Sequence, residues 1–195
     1  MSHCFGRADR WRQHFSWAIL NAIMIDGPTL TISCLAWAIW VMAWMYGSAL
    51  LSMLALYMFF TPLHECSHGN FCRSSKRVND WVGRICGVPL LAPFSTFRAI
   101  HRMHHRFTNS EDDPDIWTHP DHLPSHPVVK YTILAFRWST LTLHYVRWAL
   151  KRGIDVNPVF FYAILACMAL MQELGFPVIR VWLVPLLGTN LILGF

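Results

Sequence analysis

Apolar residues in this chain are gathered into blocks instead of recurring on one face of amphipathic segments. Residues 29–46 (TLTISCLAWAIWVMAWMY) and 48–63 (SALLSMLALYMFFTPL) are two apolar runs joined at Gly47, which predicts a helical hairpin closed by a tight turn. A second pair of runs occupies 158–172 and 176–195. Each is near the lower length limit for crossing a bilayer, which needs about 20 residues. Between the two pairs, residues 128–152 stand out. There Lys130, Arg137, Arg147 and Lys151 punctuate an aromatic-rich stretch suited to a helix lying along lipid headgroups. The expected fold is all-α and polytopic, one membrane domain over 1–195. An N-terminal cytoplasmic or interfacial arm (1–27) leads to a first transmembrane hairpin (28–63). A cytoplasmic and interfacial helical segment (64–155) then leads to a second hairpin (156–195).

Composition agrees with that class, since 54% of the residues are hydrophobic and ten are Trp. The placement of charge adds an orientation. Of sixteen Lys and Arg residues, Arg7, Arg10 and Arg12 lie in the arm, twelve lie between Arg73 and Arg152, and only Arg180 lies elsewhere. The arm and the 64–155 segment therefore belong on the cytoplasmic side, and the turns at Gly47 and near Glu173 face the other way. A formal charge of +5 does not indicate nucleic acid, because the basic residues alternate with Trp, Val and Phe, a pattern of interfacial anchoring. The N-terminal segment lacks a small-residue cleavage pattern and is not read as a cleavable signal. The six cysteines form no CxxC pair, and disulfides are not expected on a reducing face.

The chemistry concentrates in two clusters, His64-Glu65-Cys66-Ser67-His68 and His101-Arg102-Met103-His104-His105. On a helix, residues i, i+3 and i+4 share a face, and imidazole is the commonest biological metal ligand. Three readings apply. Residues 64–68 match HExxH, in which two histidines hold zinc and Glu65 serves as the general base of a metallopeptidase. That reading leaves the second cluster without a task. Interfacial histidines satisfied by water and headgroups are the bland alternative. The third is a two-metal oxygen site, because nitrogen-rich ligation with open positions suits iron that must bind oxygen, and more than three histidines points to more than one ion.

Beyond spacing, HxxxH at 64–68, HxxHH at 101–105, Gly69, Asn79-Asp80-Trp81-Val82-Gly83-Arg84, Arg106-Phe107-Thr108-Asn109 and Asp113-Pro114-Asp115 resemble the membrane fatty acid desaturase superfamily, which includes carotenoid hydroxylases and ketolases. The resemblance covers roughly residues 28–195. It implies that His64, His68, His101, His104 and His105 bind a non-haem di-iron centre, with Glu65 a spacer. It further implies molecular oxygen as co-substrate, a lipid substrate (acyl chain or carotenoid) and a separate ferredoxin- or cytochrome-type electron donor. Acyl desaturation is placed ahead of carotenoid ring hydroxylation.

One departure follows from that resemblance. The family carries a third HxxHH-type box after the fourth span, whereas here the sequence stops at Gly194-Phe195, so a truncated product or fragment is expected. His119, His122 and His126 fall among Pro120, Pro124 and Pro127, which predicts a turn-rich loop. His144 is read as a headgroup contact. Asn190 is read as a helix–helix hydrogen bond or a neighbour of metal-bound water, and 111–115 as a polar turn capping a following helix. Trp40, Trp44 and Phe59 are read as packing or belt residues.

Overall fold

The computed structural model describes residues 25–116, 123–139 and 141–193. The N-terminal arm up to residue 24, with Cys4, lies outside them, as do His119 and His122. The described residues are helical, with a single antiparallel bridge between Ile25 and Cys72 in place of any strand.

The first two helices, α1 (Gly27–Tyr46) and α2 (Ala49–His68), fall on the two apolar runs. Asp26 caps α1 by accepting from the Thr29 N–H at 2.9 Å. Gly47, at φ 60, provides the left-handed turn that ends it. Both helices are long and apolar enough to cross a bilayer. Apart from Trp40, the buried residues of α1 are small, Thr29, Ser33, Ala36 and Ala43, while Leu35, Val41 and Met45 face outward. Small residues inside and large apolar ones outside is the arrangement of helices packed in lipid. Pro62 lies buried within α2, which continues through it to His68.

Two amphipathic helices follow, α3 (Lys76–Gly87) and α4 (Phe94–Phe107). The turn between them requires Gly87, because a Cβ there would meet the Ala92 carbonyl oxygen at 2.3 Å. At Gly83 the Phe94 ring occupies the space of a side chain, with its nearest atom 2.3 Å from a built Cβ, so the two helices cross closely. Arg98 pairs with Asp80 across the same contact, and Arg102 donates to the Ser67 carbonyl at 3.2 Å, tying α4 to the end of α2.

Within the stretch 128–152, expected as an interfacial helix, the described residues are helical in α5 (Pro127–Ser139) and α6 (Leu141–Lys151). The second apolar pair becomes α7 (Pro158–Glu173), a π-helical turn (Ile179–Leu183) and α8 (Val184–Leu193). These are shorter than a full span. The π turn and α8 pack on the first hairpin: Ser52 donates to the Val181 carbonyl, and Thr189 donates to that of Met53 at 3.2 Å. Trp182 donates from Nε1 to the Pro89 carbonyl at 2.7 Å. Its ring meets Trp40 edge-on at 5.7 Å, and Trp40 in turn meets Phe59. The aromatic residues singled out in the first hairpin are therefore packing residues. The interhelical hydrogen bond assigned to Asn190 belongs to its neighbour, the fully buried Thr189.

Candidate metal centre

The first box sits at the very end of an apolar helix because Gly69, at φ 81, terminates α2 immediately after His68. The Gly69 N–H caps Cys66, and the Asn70 N–H reaches the Glu65 carbonyl at 2.9 Å, the paired bonds of a Schellman stop. The Asp26 N–H donates to the Phe71 carbonyl at 2.9 Å, placing the start of α1 beside the end of α2. The second box occupies the last two turns of α4.

Ligand nitrogens of His64, His68, His101 and His105 all lie within 4.8 Å of one another. His68 Nε2 and His105 Nε2 approach His101 Nε2 at 2.9 and 3.0 Å. Burial, followed by the neighbouring His64, His105, His68 and His104, pushes the His101 imidazole down to about 3. It is therefore neutral near pH 7. A neutral imidazole whose Nε2 faces two other imidazole nitrogens offers its lone pair toward a shared point at which a metal ion can be held. The residues fit a nitrogen-ligated transition metal. On the side toward the apolar hairpin, Phe97 stacks on His101 with centroids 5.3 Å apart, and Phe60 lies 6.0 Å from His64.

His104, expected beside its box partners, is not in that group. Its Nδ1 is 2.9 Å from Asp113 Oδ1 and 3.1 Å from Asp115 Oδ2, and these three residues form a second convergent set. Asp113 is only 2% exposed. Burial alone would raise its carboxyl, but hydrogen bonds from the Asp115 N–H, His104 and the Asn109 N–H outweigh that and hold it below the usual carboxylate range. The 111–115 run is a turn, as expected, with Glu111 and Asp112 exposed, and within it Asp113 is a buried partner of the second box. His144 is not a headgroup contact, since its Nε2 donates to the Pro114 carbonyl at 3.1 Å. His126, at the start of α5, is exposed, and no described contact brings it to the cluster. Glu65, expected as a spacer, holds His64: its Oε1 lies 2.9 Å from His64 Nδ1, and Asn70 donates to its Oε2 at 2.9 Å. Among the described residues the cysteines are free thiols.

The sequence has known relatives. The fatty acid desaturase family model matches residues 35–195, and the chain belongs to that family. An sn-1 oleoyl-lipid 12-desaturase of Arthrospira platensis is 32% identical over 56% of this chain and 29% of its own length. A 12-desaturase of the same description from a Picosynechococcus species is 27% identical over 89% of this chain and 54% of its own. An sn-1 acyl-lipid omega-3 desaturase (ferredoxin) of a Synechocystis species is 30% identical over 42% of this chain and 21% of its own. The chain thus spans about half the length, or less, of these relatives. No solved structure matches.

Proposed function

We propose that this chain carries the first two histidine boxes of an integral-membrane, oxygen-dependent desaturase acting on acyl chains of lipids. The observation that carries the proposal is the meeting of His64, His68, His101 and His105 from two helices at one end of an apolar hairpin, in a member of the fatty acid desaturase family. His104 is assigned as a fifth ligand through Nε2, because its Nδ1 is engaged by Asp113. Two non-haem irons held by these residues would supply the activation of molecular oxygen that removes hydrogen from an unactivated C–H pair.

The protein's own contribution is placement. The five imidazoles bind; Glu65 and Asp113 fix ring orientation from behind. Phe60 and Phe97 keep the hairpin side of the cluster apolar, so a methylene can approach from there. The acyl-lipid substrates named for the relatives favour a lipid-linked acyl chain over a carotenoid ring. A separate electron donor is inferred, and the ferredoxin in the name of the Synechocystis relative supports that kind. The basic residues Arg102 and Arg106 beside the second box would attract an acidic carrier. By the positive-inside rule the chain is multi-pass, with its N-terminus and both boxes cytoplasmic. The peptidase reading loses support because the Glu65 carboxylate is engaged by His64 and Asn70 on its two oxygens.

Metal analysis of the full-length protein purified from membranes tests this reading. Iron should be bound and should fall sharply in His101→Ala. Stoichiometric zinc in place of iron would contradict it.

A further inference from the structure

We infer that Asp113 is a positioning residue that holds the His104 imidazole with Nε2 turned outward, and that α6 secures it by strapping down the loop in which it lies. The inference rests on the metal-centre reading and extends it to a residue outside both boxes.

Both carboxylate oxygens of Asp113 are engaged from within the protein. Oδ1 accepts from His104 Nδ1 at 2.9 Å and from the Asp115 N–H at 2.8 Å, and Oδ2 accepts from the Asn109 N–H at 2.8 Å. A carboxylate so engaged on both oxygens, and 2% exposed, is poorly placed to ligate a metal itself. It is well placed to define which ring nitrogen of His104 carries the proton. A histidine whose Nδ1–H is held by a carboxylate presents a more basic Nε2 in one orientation. The loop is in turn held from α6, thirty residues later in the chain. Tyr145 donates its hydroxyl to Asp115, and His144 donates to the Pro114 carbonyl at 3.1 Å. Asn109, at φ 63, adopts the left-handed conformation that turns its N–H back toward the Asp113 carboxylate.

The test is titration of the solubilised full-length protein with cobalt(II), whose visible absorption reports the ligand field directly. Asp113→Asn should weaken cobalt binding by about 10- to 100-fold and shift the visible bands. Tyr145→Phe, which removes only the bond to Asp115, should move both in the same direction by less. Asp112→Asn is the control, because it removes the same charge from the same loop but touches Arg152, at 3.2 Å, and not His104. It should leave affinity and bands unchanged. Parent-like affinity and spectrum in Asp113→Asn would overturn the inference while leaving the metal centre intact. An equal loss in Asp112→Asn would overturn it by reducing the effect to loop charge. A loss as complete as that of His104→Ala would make Asp113 a ligand instead of a positioning residue. An unaltered protein that binds no cobalt would sink the metal centre itself, and the inference with it.

Discussion

Glu65 and His64, adjacent in the chain, meet side chain to side chain: Oε1 lies 2.9 Å from Nδ1. Neighbours on a helix point about 100° apart, so the contact depends on Glu65 folding back, and Asn70 fixes it there by donating to the other carboxylate oxygen at 2.9 Å. The Glu of a literal HExxH match is thereby an orienting partner of the first histidine.

Glu65→Gln should consequently reduce metal affinity without abolishing it, by about 10- to 100-fold, because the amide oxygen can still accept from Nδ1–H. His64→Ala removes the ligand and should eliminate binding at that position. Isothermal titration with cobalt(II) or iron(II) distinguishes the two. A Glu65→Gln protein that keeps full zinc and loses a hydrolytic activity would instead restore the peptidase reading.

The close crossing of α3 and α4 gives a packing prediction. Gly83→Ala places a methyl group inside the Phe94 ring, and Phe94 is 3% exposed and cannot swing clear. Overpacking of this kind costs about 1–3 kcal/mol. Since α4 carries the second box, thermal unfolding in detergent should show the loss of stability together with weaker metal binding. An unchanged midpoint would mean that the helices can part without cost.

Trp182→Phe keeps the aromatic cluster with Trp40 but removes the Nε1 donor to the Pro89 carbonyl. The orphaned buried carbonyl should cost about 1–3 kcal/mol, measurable by the same unfolding assay. The metal site should be unaffected, because Pro89 lies in the turn ahead of α4 and touches no histidine among the described contacts. A parallel fall in metal affinity would show that the α3–α4 turn is coupled to the site.

Topology needs introduced cysteines. Cys72 and Cys86 are buried, at 3% and 1% exposure, and burial pushes the Cys86 thiol up from its ordinary value. Their failure to label would report packing and not sidedness. Ser110 is exposed in the basic segment, so Ser110→Cys should react with an impermeant maleimide only after cells are opened. Rapid labelling of intact cells would place both boxes on the outside.

The first two helices were legible in the chain because long apolar runs announce themselves, and Gly47, at φ 60, marks the turn between them. The approach of His64, His68, His101 and His105 to one another was legible as well, through local spacing. The separate place of His104 was not. His104 Nδ1 is bonded to Asp113, whose loop is bonded by Tyr145 and His144 arriving from a distant helix. Sequence distance hides such a contact, and an acidic run with proline looks like an ordinary turn. The buried Thr189 was missed beside Asn190 for a related reason: the register of a uniformly apolar helix is set by its neighbours, and periodicity alone does not choose the inward residue.

The acyl chains of membranes from cells expressing the full-length protein give the most direct measurement of the central claim. Mass spectrometry should find lipids that have lost two hydrogens and gained a double bond, a change that requires oxygen and disappears in His101→Ala. Chains or rings that have gained an oxygen atom would place the protein among hydroxylases. Lipids left unaltered by an iron-loaded protein supplied with a reduced electron donor would contradict desaturation outright.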